Sequence, residues 1–286
     1  MSGPFAPALV AVPLLLLSAT PDQTACLKGN ATACSKAGRV SIDAKDYEAA
    51  RPLLEKGCQH GSAEACDDLG WVYDDGLGVD IDKAKAAELY AKACKGGFAR
   101  GCTNEGAMLA KGNGVKKDVK KAAERFQKAC DGGSPMGCRD LGIRYLEGDG
   151  VTKNPARALE LFKKGCKGES GTSCNDVAVM YLKGEGIAVD LARARQFFQS
   201  ACELDYAAGC NDVAIMHLNG EGVPLNLPEA KRYFQLACEK GYGAGCYDLG
   251  VMYAKGESVR ADEVTARKWF KRGCELGHEK SCEFAK

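Results

Sequence analysis

Residues 138–174 read CRDLGIRYLEGDGVTKNPARALELFKKGCKGESGTSC. Ala158, Phe162 and Cys166 stand at i, i+4 and i+8, the spacing of one stripe on a helix. Asn154 precedes that stripe, and its side-chain oxygen can accept from the free amides of a first helical turn. Upstream, Leu141, Gly142 and Tyr145 lie in an earlier apolar segment, separated from the stripe by Gly148 and Gly150, residues suited to positive φ. The stretch therefore predicts two helices joined by a glycine-containing turn, bounded by cysteines.

Further out, the cysteines put the whole chain in register. They fall as Cys26 and Cys34, Cys58 and Cys66, Cys94 and Cys102, Cys130 and Cys138, Cys166 and Cys174, Cys202 and Cys210, Cys238 and Cys246, and Cys274 and Cys282. The two members are always eight apart, and from Cys58 each couple recurs after 36 residues. Other columns follow the same period. Ala86 with Tyr90, Ala122 with Phe126, Ala194 with Phe198, Ala230 with Phe234 and Ala266 with Phe270 repeat the stripe, and Asp82, Asp118, Asp190, Asn226 and Asp262 repeat the cap. Gly70, Gly106, Gly142, Ala178, Ala214 and Gly250 form a small-residue column that lets a neighbouring helix approach closely. The loop glycines recur too, except that Ser258 takes the second place in the last repeat.

Registered units that cannot bury their apolar faces alone predict an all-α, right-handed α-solenoid of antiparallel helix pairs over residues 21–286. About seven pairs run from Cys34 to Cys274, with a short capping helix near residues 279–284. The first pair is four residues shorter between its cysteines than the others, and the deletion falls between the helices, as in an atypical terminal repeat.

Lys and Arg total 39 against 38 Asp and Glu, so no global field directs the chain to nucleic acid. Residues 8–19 form a short apolar run ending near Ser18, Ala19 and Thr20, which predicts a signal peptide over residues 1–20, although no Lys or Arg precedes it and Pro7 and Pro13 interrupt it. No later segment is long and apolar enough to insert in a bilayer. Sixteen cysteines favour an oxidising compartment, so the expected location is secreted or periplasmic. The mitochondrial intermembrane space is the alternative, but the leader lacks the arginines of a transit peptide and the spacing is C-x7-C rather than twin C-x9-C.

Leu141, Gly142, Tyr145, Gly148, Gly150, Val151, Ala158 and Phe162 together resemble the Sel1-like repeat, a relative of the tetratricopeptide repeat. With two cysteines in each repeat, the chain is similar to the Helicobacter cysteine-rich protein family. Two disulfide pairings suit antiparallel helices: Cys130 to Cys138 across the turn between repeats, or Cys138 to Cys166 within one. Only the first pairs all sixteen cysteines, because the second leaves Cys26 and Cys282 alone, and the resemblance implies the first as well. The absence of C-x2-C spacing argues against zinc and against catalytic redox chemistry, so no metal or cofactor is expected.

The resemblance also implies penicillin binding or weak β-lactamase-like hydrolysis, the alternative function. The sequence has no S-x-x-K and no K-T-G, and its three histidines, His60, His217 and His278, form no evident cluster. No catalytic residue is assigned. Met108, Met180, Met216 and Met252 share a column, which reads as flexible core packing rather than a copper site.

A polar column is the better candidate. Asp68, Asn104, Asp140, Asp176, Asp212 and Asp248 recur on the first helix, flanked by Arg139, Asn175 and Asn211. Appearing in every full repeat, they suit a structural role through local hydrogen bonds. By analogy with tetratricopeptide repeats the same place faces a concave groove, where acids and amides at regular intervals can grip an extended peptide of basic or amide-rich character. The expected function is therefore an exported, non-catalytic scaffold for a protein or peptide.

Overall fold

A computed structural model describes residues 20–285, and the expected leader lies outside these residues except for Thr20. The described residues contain sixteen helices and no strand, in two compact units that meet in sequence between Asp118 and Val119. The first unit carries α1 (Pro21–Leu27), α2 (Ala31–Asp43), α3 (Tyr47–Gln59), α4 (Ala63–Asp75), α5 (Lys83–Lys95) and α6 (Ala99–Lys111). The second carries α7 (Val119–Asp131), α8 (Pro135–Glu147), α9 (Pro155–Lys167), α10 (Gly171–Lys183), α11 (Leu191–Glu203), α12 (Ala207–Asn219), α13 (Leu227–Glu239), α14 (Gly243–Lys255), α15 (Glu263–Glu275) and α16 (Glu279–Phe284). Within each unit, consecutive helices pack as antiparallel pairs, the repeated pairing of a solenoid. No helix of the described residues is long and apolar enough to cross a membrane.

The caps act as the sequence predicts. Asn154 Oδ1 accepts from the Arg157 amide at 3.0 Å, and Asp82, Asp190, Asn226 and Asp262 start their helices the same way. At the other end of a first helix, Gly148 turns left-handed at φ 80° and its N–H donates to the Arg144 carbonyl at 2.8 Å, which stops α8 and frees the chain to reverse. Ser258 adopts the same conformation, φ 65°, without a glycine's freedom.

The aromatic stripe explains the small column. Phe162, Phe198 and Phe234 are buried among Ala158, Val177, Ala194, Ala214 and Met252 in the second unit, and each buried ring contributes about 1.5–3 kcal/mol. A Cβ on Gly142 would stand 2.6 Å from Phe162 Cε1, and one on Gly70 2.7 Å from Tyr90 Cε1. The small residue of the first helix thus receives the aromatic ring of the second. The methionines of the shared column are buried as core, with Met180 and Met252 each 1% exposed.

Every cysteine is bonded to the one eight residues away. In the first unit Cys26 bonds Cys34, Cys58 bonds Cys66 and Cys94 bonds Cys102. In the second, Cys130 bonds Cys138, Cys166 bonds Cys174, Cys202 bonds Cys210, Cys238 bonds Cys246 and Cys274 bonds Cys282. The Cα–Cα distances run from 4.3 to 4.7 Å, and the alternative joining Cys138 to Cys166 within a repeat is not formed. Each bridge ties the end of one helix to the start of the next across an inter-repeat turn. The sequence pairing holds for a geometric reason: the tight turn returns the chain to the last turn of the helix it has just left, bringing two positions eight apart face to face.

The short first repeat is also accounted for: residues 44–46 join α2 to α3, where residues 76–82 join α4 to α5. The additional helix α1, capped by Thr20 and carrying Cys26, precedes the first pair; its seven residues are too few to show a stripe in the sequence.

Candidate functional site

The polar column divides by its surroundings. In the first unit Asp68 is 1% exposed and is clamped between two guanidinia. Arg39 on α2 donates through Nε at 2.9 Å and Nη2 at 2.7 Å, and Arg100 on α6 donates through Nη2. Its neighbour Asp67, equally buried, accepts from Arg100 Nε at 2.5 Å and from Asn104 Nδ2 at 2.9 Å. Burial pushes both carboxyls above their ordinary value while the arginines pull the other way. Here the predicted Asp68 and Asn104 hold three first helices together.

In the second unit the column loosens along the chain. Asp176 on α10 still accepts from Arg139 Nε on α8 at 2.5 Å. Asp212 on α12 and Asp248 on α14 have no hydrogen bond or salt bridge among the described residues, although both are partly buried, and desolvation pushes each up to about 6 from 3.8. Next to Asp176 and Asp212 in the chain, the Oδ1 atoms of Asn175 and Asn211 are buried without a partner, and Asn211 is 6% exposed overall. Burial pushes the hydroxyl of Tyr242, at the start of α14, above its ordinary value, and the charges of Asp212 and Asp248 add to the rise. Such an arrangement holds carboxylate and amide acceptors short of donors, the complement of ammonium, guanidinium or peptide N–H groups.

His217 and His278 serve packing and a terminal turn. His217 stacks on Tyr233 with ring centroids 6.0 Å apart, and burial lowers its pKa below the ordinary imidazole value. His278 and Ser281 share a 2.9 Å hydrogen bond in the terminal turn.

Sequence reasoning missed Asp67, Arg39 and Arg100. Their column equivalents carry unrelated residues, so no recurrence marks them. A signal existed in the offset, because Arg100 lies 32 residues after Asp68, whereas Ala208 and Ala244 stand 32 after Asp176 and Asp212. That difference separates a satisfied carboxylate from one that lacks this partner.

A family model described as the Sel1 repeat matches residues 63–98, 100–134, 135–170, 172–206, 207–242 and 243–278. The chain belongs to the Sel1 repeat family. A solved structure of a protective antigen present in uropathogenic Escherichia coli strains, displaying an SLR fold, is 26% identical, with a TM-score of 0.78 over 92% of this chain and 57% of that one. The chain therefore spans little more than half the length of that antigen. A Sel1 repeat protein from Oxalobacter formigenes is 24% identical, with a TM-score of 0.72 over 84% of this chain and 96% of its own, a likeness of fold. Cysteine rich protein B of Helicobacter pylori is 30% identical over 46% of this chain and 95% of its own, with a TM-score of 0.39. No match is found among curated proteins. This Sel1 chain is a disulfide-bonded repeat scaffold of the kind that generally mediates protein–protein interactions, and its bridges suit an oxidising compartment outside the cytoplasm.

Proposed function

We propose that this Sel1 protein is exported, with residues 1–20 as leader and 21–286 as the repeat domain, and that it binds an extended peptide or protein segment rich in basic or amide groups. The observation that carries the reading is Asp212 with Asp248: two partly buried carboxylates one repeat apart, with neither hydrogen-bond nor ion-pair partner among the described residues. A desolvated carboxylate without a partner costs stability, and a cationic ligand supplies what is missing. Asn175 and Asn211 add unfilled acceptors at the adjoining positions. Asp140 and Asp176, in the same column on α8 and α10, extend the surface toward the start of the unit.

The test is fluorescence anisotropy of the oxidised protein with labelled peptides alternating Lys and Gln or Glu and Gln. Saturable binding of the Lys peptide, weakened by salt and absent for the Glu peptide, is expected. Equal binding of both peptides, or of neither, overturns the reading.

A further inference from the structure

The first unit contains a cavity of about 540 Å³ between α2, α4 and α6, a volume typical of sites for small ligands. Its lining departs from the repeat pattern. None of the five equivalent helix positions carries an acid where α4 has Asp67 or Asp74, or an aromatic where it has Trp71. On α8, for example, the equivalents are Arg139, Leu146 and Ile143. Three departures from the pattern, all on α4, converge on one cavity.

The charges in the cavity are not equivalent. Arg39 and Arg100 are committed to Asp67 and Asp68, so an incoming anion would have to compete with two carboxylates already in place. Asp74 is engaged by Lys83 Nζ at 2.7 Å and by the Tyr90 hydroxyl. That leaves Asp43 and Asp75 as exposed negative charges at the rim. Asp75 Oδ2 accepts from Trp71 Nε1 at 2.6 Å, which fixes the indole while leaving Trp71 38% exposed. A tethered indole beside excess carboxylate offers a π face and a counter-charge to the same guest.

We propose that this cavity binds an organic cation, a guanidinium or ammonium on an apolar stem, with the stem against Trp71 and the charged head toward Asp75 and Asp43. The source is either a basic side chain of a bound protein or a free amine. The site lies in the other unit from Asp212 and Asp248 and does not depend on them.

Trp71 and Trp269 are the only tryptophans, so Trp269→Phe leaves Trp71 as the sole reporter. In that background, emission is titrated with N-acetyl-arginine amide, its uncharged citrulline analogue, agmatine, and an Arg-containing peptide. The expected result is a saturable change with the arginine compounds at about millimolar concentration, none with citrulline, and affinity about tenfold weaker in Asp75→Asn and in Asp43→Asn. Tighter binding of the peptide than of agmatine assigns the site to a protein side chain, and the reverse assigns it to a free amine. Both support the site. An equal response to citrulline and arginine, no saturable response, or affinities unchanged in both Asp variants overturns it. The variants alter exposed side chains, and Asp43→Asn leaves the indole tether intact, so loss of fold or of Trp71 orientation does not mimic the result.

Discussion

Replacing Asp212 by Asn should stabilise the protein at neutral pH and leave it almost unchanged in acid. In the folded chain the Asp212 carboxyl titrates at about 6, against 3.8 for an unburied carboxyl, because its surroundings remove water and supply no partner. Between these values the folded state holds a proton that the unfolded chain has released. Stability therefore falls as pH rises through this window, and the loss is complete above the folded value. The rise from 3.8 to about 6 corresponds to about 3 kcal/mol. Asparagine keeps the shape and does not ionise, so the variant should exceed wild type by up to about 3 kcal/mol at pH 8 and match it near pH 4. Denaturant unfolding of the oxidised proteins across that range measures the difference. A gap of constant size at both pH values, or a variant weaker than wild type at pH 8, would mean that the buried Asp212 charge carries no such penalty.

Two further outcomes follow from the fold. Replacing Cys130 and Cys138 together by Ser should cost about 2.5 kcal/mol, the chain entropy released by opening a short loop, and should lower the unfolding midpoint of α7 and α8 as read by amide exchange. Ser258→Gly should stabilise by about 1 kcal/mol, because Ser258 holds φ 65° where the equivalent positions use glycine; thermal unfolding checks this, and a destabilised variant counts against it.

Much of this architecture is legible because it repeats. The stripe of Ala158, Phe162 and Cys166, the cap at Asn154 and the left-handed Gly148 each express a local rule, and recurrence every 36 residues makes the rule visible. The disulfides were legible because pairing all sixteen cysteines leaves one regular solution, from Cys26 with Cys34 to Cys274 with Cys282. The fate of the polar column was not. Asp68 and Asp212 share a position but not an environment, since one meets Arg39 and Arg100 and the other has Ala244 at the place of the second arginine. Periodicity places a residue on a face; partners 29 to 32 residues away decide whether its charge is already satisfied. The Trp71 cavity escaped for the opposite reason, because it is built from departures that a column reading averages away.

On the proposed reading, Asp212 and Asp248 are charges kept for a ligand. That role is checked by titration calorimetry of the Lys–Gln peptide into oxidised wild type and into the Asp212→Asn, Asp248→Asn double variant, at pH 7.5 and pH 5. Binding at pH 7.5 should weaken as pH falls through about 6 in wild type, and affinity should be at least about tenfold lower in the double variant with little pH dependence. Equal affinity of the two proteins at both pH values would contradict it.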